Sequence, residues 1–138
     1  MSIRFEEFPD SEAICAQVIR EALDPVGVYS SVPKSPTFPL VTVKRLGGRP
    51  AEVHHLDNAR IQIDVWGRSK SEARTLADQA RVALHEAEGR IFEPGSGSDD
   101  VVAGLVTAVD DGLGLTWLPD QATGRDRYFF TVQVYGHV

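Results

Sequence analysis

Between Ser69 and Glu88, seven apolar residues repeat on one helical face: Ala73, Leu76, Ala77, Ala80, Ala83, Leu84 and Ala87. Five of the seven are alanine, so the stripe has little bulk of its own and predicts a helix lying close against a flat partner, a sheet. Ser69-Lys70-Ser71-Glu72 reads as a capping box opening this helix, and Gly89 reads as its stop. Directly upstream, Ala59 to Gly67 alternates as a strand does, with Ile61, Ile63 and Val65 on one side and Gln62, Asp64 and Trp66 on the other. A strand running straight into a small-faced helix demands more strands to complete the sheet.

The rest of the chain supplies them. A first helix spans about Ser11 to Leu23, with Asp10 or Ser11 as its cap. Ile14, Val18 and Ala22 fall at helical spacing beside Cys15 and Ile19, and Asp24-Pro25 ends it. Val26 to Val32 reads as a short strand, and Pro33, Pro36 and Pro39 space out a loop. Leu40 to Leu46 reads as a strand, with Val41 and Val43 opposite Thr42 and Lys44. Gly47 to Asn58 reads as a long connection, and Pro94 to Asp100 as a polar linker. Val101 to Val109 predicts a strand ending in an Asp110-Asp111-Gly112 turn, and Leu113 to Leu118 a further strand. Pro119 to Asp126 is a loop with a Thr123-Gly124 turn. Arg127 to Tyr135 closes the sheet, with Tyr128, Phe130, Val132 and Val134 on one face and Phe129, Thr131, Gln133 and Tyr135 on the other. The order predicts an α+β fold: a single domain, a mostly antiparallel sheet, and two helices packed on one of its faces.

Charge narrows the partners. Fourteen Lys and Arg against twenty Asp and Glu leave a formal charge of −6. That balance opposes gripping nucleic acid through its phosphates or docking on anionic lipid. The first residues, Met1 to Glu7, hold no apolar signal core, and the longest apolar run, Val101 to Val109, is too short to span a membrane. The expectation is a soluble, cytoplasmic chain. The single cysteine, Cys15, can form no intrachain disulfide and reads as a small hydrophobe on a buried face.

No catalytic constellation assembles. His54-His55-Leu56-Asp57 clusters ligand-type residues but lacks the third and fourth ligands a zinc site requires. Gly95-Ser96-Gly97-Ser98 lacks the ending of a phosphate loop, and Gly112-Leu113-Gly114 lacks the third glycine of a dinucleotide fingerprint. Asp99-Asp100 and Asp110-Asp111 flank a strand at its two ends, too far apart to share a site. The reading is no enzyme, with no cofactor and no metal. What remains is contact surface. Trp66, Phe129 and Tyr135 place aromatics on a face that a monomer would leave wet, which makes them candidate subunit contacts. Arg49, Glu52, His54, His55 and Asp57 give the long connection polar groups for a partner interface.

The strand Ala59 to Gly67 running into Ser69-Lys70-Ser71-Glu72-Ala73 resembles the tail terminator (tail completion) proteins of long-tailed bacteriophages. The closing strand Arg127 to Gly136 is similar to that family's last strand, and Val28, Tyr29 and Pro33 after the first helix fit as well. The resemblance implies a structural virion protein of the tail, assembled in the host cytoplasm. It implies a homo-hexameric ring that caps the tail tube, stops its polymerisation and forms the head–tail joining surface. The implied partners are the protein itself, the major tail tube protein and the head–tail connector or neck proteins, with DNA only in passing and no membrane. In such a ring Asp99, Asp100, Asp110, Asp111 and Asp120 become candidate channel carboxylates. Two alternatives stay open: another neck protein, such as a head-closure or connector component, and a small α+β enzyme using His54, His55 and Asp57.

Overall fold

The computed structural model describes residues 10–50, 56–92 and 104–137. The elements follow as α1 (Ser11–Leu23), β1 (Gly27–Tyr29), β2 (Leu40–Pro50), β3 (Leu56–Trp66), α2 (Lys70–Glu86), β4 (Ile91–Phe92), β5 (Gly104–Asp111), β6 (Thr116–Trp117) and β7 (Arg127–His137). Both helices start as their caps dictate. Asp10 Oδ1 accepts from the Ala13 amide at 3.0 Å, and Ser69 Oγ accepts from the Glu72 amide at 3.1 Å. Glu72 reaches back one residue further than a capping box requires, accepting from the Arg68 amide at 2.8 Å. Gly89 lies just beyond α2 at φ +81°, a conformation that costs a glycine little.

One sheet, ordered β1-β2-β3-β7-β5-β4, carries the fold, with β6 pairing β7 beside this path. Among the described residues only β1–β2 is parallel. Its spine is the antiparallel β3–β7 ladder, which runs unbroken from Leu56↔His137 to Trp66↔Arg127. β5 pairs with the C-terminal half of β7 and β6 with its N-terminal end, so the two share one side of that strand. The helices cover one face. Ile61, Ile63 and Val65 of β3 and Phe130, Val132 and Val134 of β7 bury there against Ile14, Ile19, Ala73, Ala77, Ala80 and Leu84. Each large aliphatic or aromatic side chain so buried contributes about 1.5–3 kcal/mol of transfer free energy. The alanines do a different job by letting α2 approach. At the β3–α2 turn a Cβ on Gly67 would sit 2.5 Å from the Ala73 amide nitrogen, so no side chain fits there.

Three expectations are corrected. The stretch from Gly47 to Asn58 is not one connection. β2 continues through Pro50 and β3 begins at Leu56, with Arg49 opposite Asn58 and Pro50 opposite Asp57. The glycines that suggested a loop instead accompany a bulge between Arg45 and Gly48. Asp110 and Asp111 are not a turn but the last residues of β5, paired with Gln133 and Val132. The two short strands are shorter than expected, β1 covering Gly27–Tyr29 and β6 only Thr116–Trp117. The Pro94 to Asp100 linker lies outside the described residues.

Candidate functional site

The sheet face turned away from the helices carries the residues expected to contact other subunits, and it divides in two. At one end Leu40 and Trp66 are register partners, 0% and 4% exposed. The segment 118–126 closes over them. Trp66 Nε1 donates to Asp120 Oδ2 at 2.8 Å, Asp120 and Arg125 bridge through backbone, and the Arg125 guanidinium lies 4.4 Å from the centre of the Phe38 ring. The indole bond, with those from Ala122 and Thr123, holds the Asp120 carboxyl below the usual carboxylate range. Trp66 is thus covered by its own chain and offers no free ring to a neighbour. Its expected exposure is overturned because the loop that follows β6 carries a hydrogen-bond acceptor for the indole.

The remainder of that face is polar. Asp64 is buried, and burial pushes its carboxyl up against the opposing hydrogen bonds from Gln62 Nε2 at 3.0 and 3.3 Å. Thr42, its cross-strand partner, is 1% exposed, and its hydroxyl has no hydrogen-bond partner among the described residues. Phe129 and Tyr135 keep the expected face and are half-buried, beside half-buried Gln62, Thr131 and Gln133 and exposed Lys44 and Arg60.

The candidate partner loop is partly internal. Asp57 is 1% exposed and accepts both guanidinium arms of Arg45, at 2.5 Å from Nη1 and 2.9 Å from Nη2. This pair raises the Arg45 pKa, and Glu12 accepts from the Arg45 amide at 2.9 Å. Asp57 therefore ties β3 to β2 near the start of α1 and does not project toward a partner. Arg49 lies in β2, while Glu52, His54 and His55 lie outside the described residues. No cluster of three or more His, Cys, Asp or Glu suited to a metal occurs among the described residues.

The carboxylates do not converge. Asp111 joins β5 to α2, with Arg81 at 2.7 and 3.0 Å and His85 Nε2 at 2.8 Å. Those two contacts hold its carboxyl at about 2. Asp110 is exposed and shares the outer face with Gln133. Asp99 and Asp100 lie outside the described residues. Cys15 is buried as expected, and burial pushes its thiol up to about 12.

Sequence reasoning passed over two apolar features at the Trp66 end. One is the segment 113–118, where Leu113, Trp117 and Leu118 are 50%, 44% and 47% exposed. Lys70 Nζ stands 4.1 Å above the Trp117 ring, and Trp117 Nε1 donates to Asp126 at 3.1 Å. Leu115, in the same period-two set as Leu113 and Trp117, packs against the core, so alternation alone does not mark the exposed residues. The other is a cleft of about 440 Å³ lined by Pro25, Val26, Tyr29, Phe38, Pro39 and Leu76, with Arg68 and Glu72 at its wall. Its parts come from three separated segments, which no local pattern reveals.

Residues 14–110 match the family described as tail completion protein gp17. Among solved structures the chain is similar to one in the virion of a native gene transfer agent particle, at 14% identity and TM-score 0.47, covering 93% of this chain and 87% of that one. It is also similar to the gp17 protein of bacteriophage SPP1, at 16% identity and TM-score 0.45, covering 100% and 96%. No curated protein matches. The family match spans most of the chain, and its members are structural proteins of phage tails, not enzymes. The chain belongs to the tail completion protein gp17 family.

Proposed function

We propose that this protein ends a bacteriophage tail as a ring of six copies. The ring caps the tail tube, stops its polymerisation and offers the surface that joins the head. It is assembled in the host cytoplasm, meets the major tail tube protein on one side and neck proteins on the other, and lets DNA pass without holding it. The family match over residues 14–110 carries this reading. The local chemistry supports it, because reactive-looking groups are committed to architecture: Asp57 to Arg45, Asp111 to Arg81 and His85, and Cys15 to the core. Within the ring, Asp110, exposed on the outer face, is the described carboxylate we assign to the channel side, together with Asp99 and Asp100, while Asp111 is committed to Arg81 and His85. An acidic wall does not retain DNA as a cationic one would. Arg49 of β2, with Glu52, His54 and His55 from the sequence between β2 and β3, is assigned to the partner interface.

Native mass spectrometry at high concentration, and imaging of tail tubes with the protein added, test the reading. A cyclic oligomer and tubes capped at one end are expected. A monomer that leaves tube length unchanged overturns it. Binding to the head side alone, with no effect on tubes, transfers the protein to the head-closure class.

A further inference from the structure

Between Leu118 and Asp126 the chain leaves the sheet and returns to it. The Leu118 amide donates to the Arg127 carbonyl at 2.8 Å, and the Asp126 carbonyl accepts from the Gly67 amide at 3.1 Å, so both ends of the excursion are fixed. Residues 119–125 then form a unit of their own. Asp120 and Arg125 bridge through backbone, the Gly124 amide donates to the Asp120 carbonyl at 2.8 Å, and the Asp120 side chain accepts from Ala122 and Thr123. Gly124, at φ +70°, closes the tip. Among the described residues the polar ties of this unit to the rest of the chain are two: Trp66 Nε1 to Asp120 Oδ2 at 2.8 Å, and the Arg125 guanidinium over the Phe38 ring. A unit that holds itself together and is tied at two points can lift without unfolding. Asp64 stands two residues before Trp66 on the same face, roughly 7 Å along β3. It is buried without a cation in bridging distance among the described residues, and its hydrogen bonds come from the neutral Gln62 amide. Burial pushes its carboxyl up against those bonds and against the charges of Arg127 on β7 and Lys44 on β2, and Asp120 of the 119–125 unit adds to the push. Cross-strand from it is the buried Thr42 hydroxyl, which has no partner among the described residues. A protonated carboxyl carries an O–H donor that such a hydroxyl can accept, so the arrangement suits a neutral Asp64.

We propose that residues 119–125 are a lid seated by a neutral Asp64 and lifted by an ionised one, so that proton binding decides how far Leu40 and Trp66 are covered. A proton shifts the lid because it binds the two positions unequally. Lifting returns Asp64 to water and to its ordinary behaviour. Asp64 therefore supports the seated lid fully below the ordinary carboxylate value, near 4, and that support is lost as pH rises through its higher seated value. Asp120 works in the opposite sense. The Trp66 indole, before its other contacts, holds the Asp120 carboxyl low, so the seat also needs Asp120 charged. Its support is full above the ordinary value and is lost as pH falls through the lower seated value. The lid is firmest about pH 4, where Asp64 is largely neutral and Asp120 charged, and loosens on both sides. Toward neutral pH the outer face shows more of Leu40 and Trp66, beside half-buried Phe129. This switch goes beyond the ring reading and does not rest on it.

In a Trp117→Phe background Trp66 is the only tryptophan, and acrylamide quenching of its fluorescence reads the lid. Quenching should be least about pH 4 and rise about twofold toward pH 7, with the far-UV circular dichroism unchanged. Asp64→Asn keeps the side-chain shape and removes the charge, so the rise toward neutral pH should vanish while the rise toward acid stays. Asp120→Asn should do the reverse, losing the acid rise and keeping the neutral one. A parent profile that is flat from about pH 4 to 7 overturns the proposal. So does an Asp64→Asn chain that keeps the full neutral rise, or a rise that comes only with loss of the circular dichroism signal, which is global unfolding and not a lid.

Discussion

Substituting Trp66 by Phe separates a structural role for this indole from a role in subunit contact. The side chain is 4% exposed, and Nε1 donates to Asp120 Oδ2 at 2.8 Å. Phe keeps most of the buried ring and removes the donor. Asp120 retains Ala122 and Thr123 as partners, so its carboxylate is not orphaned. A hydrogen bond to a charged acceptor contributes about 1.5–3 kcal/mol net, and Asp120 is only half-buried, which points to the lower end of that range. At a urea dependence of about 2 kcal/mol per M, a loss of about 2 kcal/mol moves the unfolding midpoint down by about 1 M. The measurement is best made in a Trp117→Phe background, read by circular dichroism for both chains. A cycle with Asp120→Ala should return a coupling of about 1.5 kcal/mol. The sign with pH follows from the carboxyl being held below its ordinary value. Its contribution is present above the unfolded value near 4 and is lost as pH falls through the lower folded value, so the two chains should converge in acid. If the Phe variant unfolds like its parent at neutral pH yet assembles differently, Trp66 acts between subunits and the loop clasp described here is wrong.

Three further outcomes follow from single positions. Gly67→Ala places a Cβ 2.5 Å from the Ala73 nitrogen and 2.7 Å from the Ser69 carbonyl oxygen; overpacking against rigid backbone should cost about 3 kcal/mol, and a thermal midpoint equal to the parent's would refute the seam geometry. Asp111→Asn cuts the link to Arg81 and His85, a solvent-exposed cluster worth at most about 1 kcal/mol; because the Asp111 carboxyl is held at about 2, the deficit should be full above the unfolded value near 4 and vanish toward pH 2, as a pH series of denaturation curves would show. Cys15, with its thiol pushed up to about 12 inside the core, should resist a thiol reagent at pH 8 until the chain unfolds, and rapid labelling of the native protein would contradict its burial.

What the sequence discloses is what depends on neighbours within a few residues. The Ser69 cap, the alanine stripe and the alternation of Ile61, Ile63 and Val65 each fix an element locally, and each is found in place. The tail-completion resemblance rested on these same elements. Distant partners are what local patterns cannot carry. Trp66 reads as an outward aromatic until Asp120, 54 residues on, supplies its acceptor. Asp57 reads as a loop carboxylate until the Arg45 guanidinium is found across the β2–β3 pair. Arg81 and His85 lie on α2, 30 and 26 residues before the Asp111 they hold. The Gly47-Gly48-Arg49-Pro50 stretch misleads for a different reason: its residues are typical of turns, but the β3 ladder holds them as a strand, and Pro50 is tolerated where β2 ends.

The edges of the sheet show where this chain resists association and where it invites it. An open strand edge is a template for uncontrolled pairing. Along β5, the Gly89 amide and the Arg90 carbonyl bond to Val106, and the Glu88 carboxylate accepts from the Val109 amide, so the end of α2 seals that edge. Glu12 caps the Arg45 amide on β2, and Arg20 caps the Val28 carbonyl on β1. Both helices thus give side chains or termini to closing the sheet. At the segment 113–118 the chain does otherwise: Thr116 Oγ1 caps the Gly114 carbonyl, but Leu113, Trp117 and Leu118 remain largely exposed. Backbone edges capped in this way, beside an exposed apolar segment, favour a contact of fixed stoichiometry over an open-ended sheet. The proposed terminator role requires that asymmetry, because a terminator able to extend its own sheet would prolong the structure it is proposed to stop.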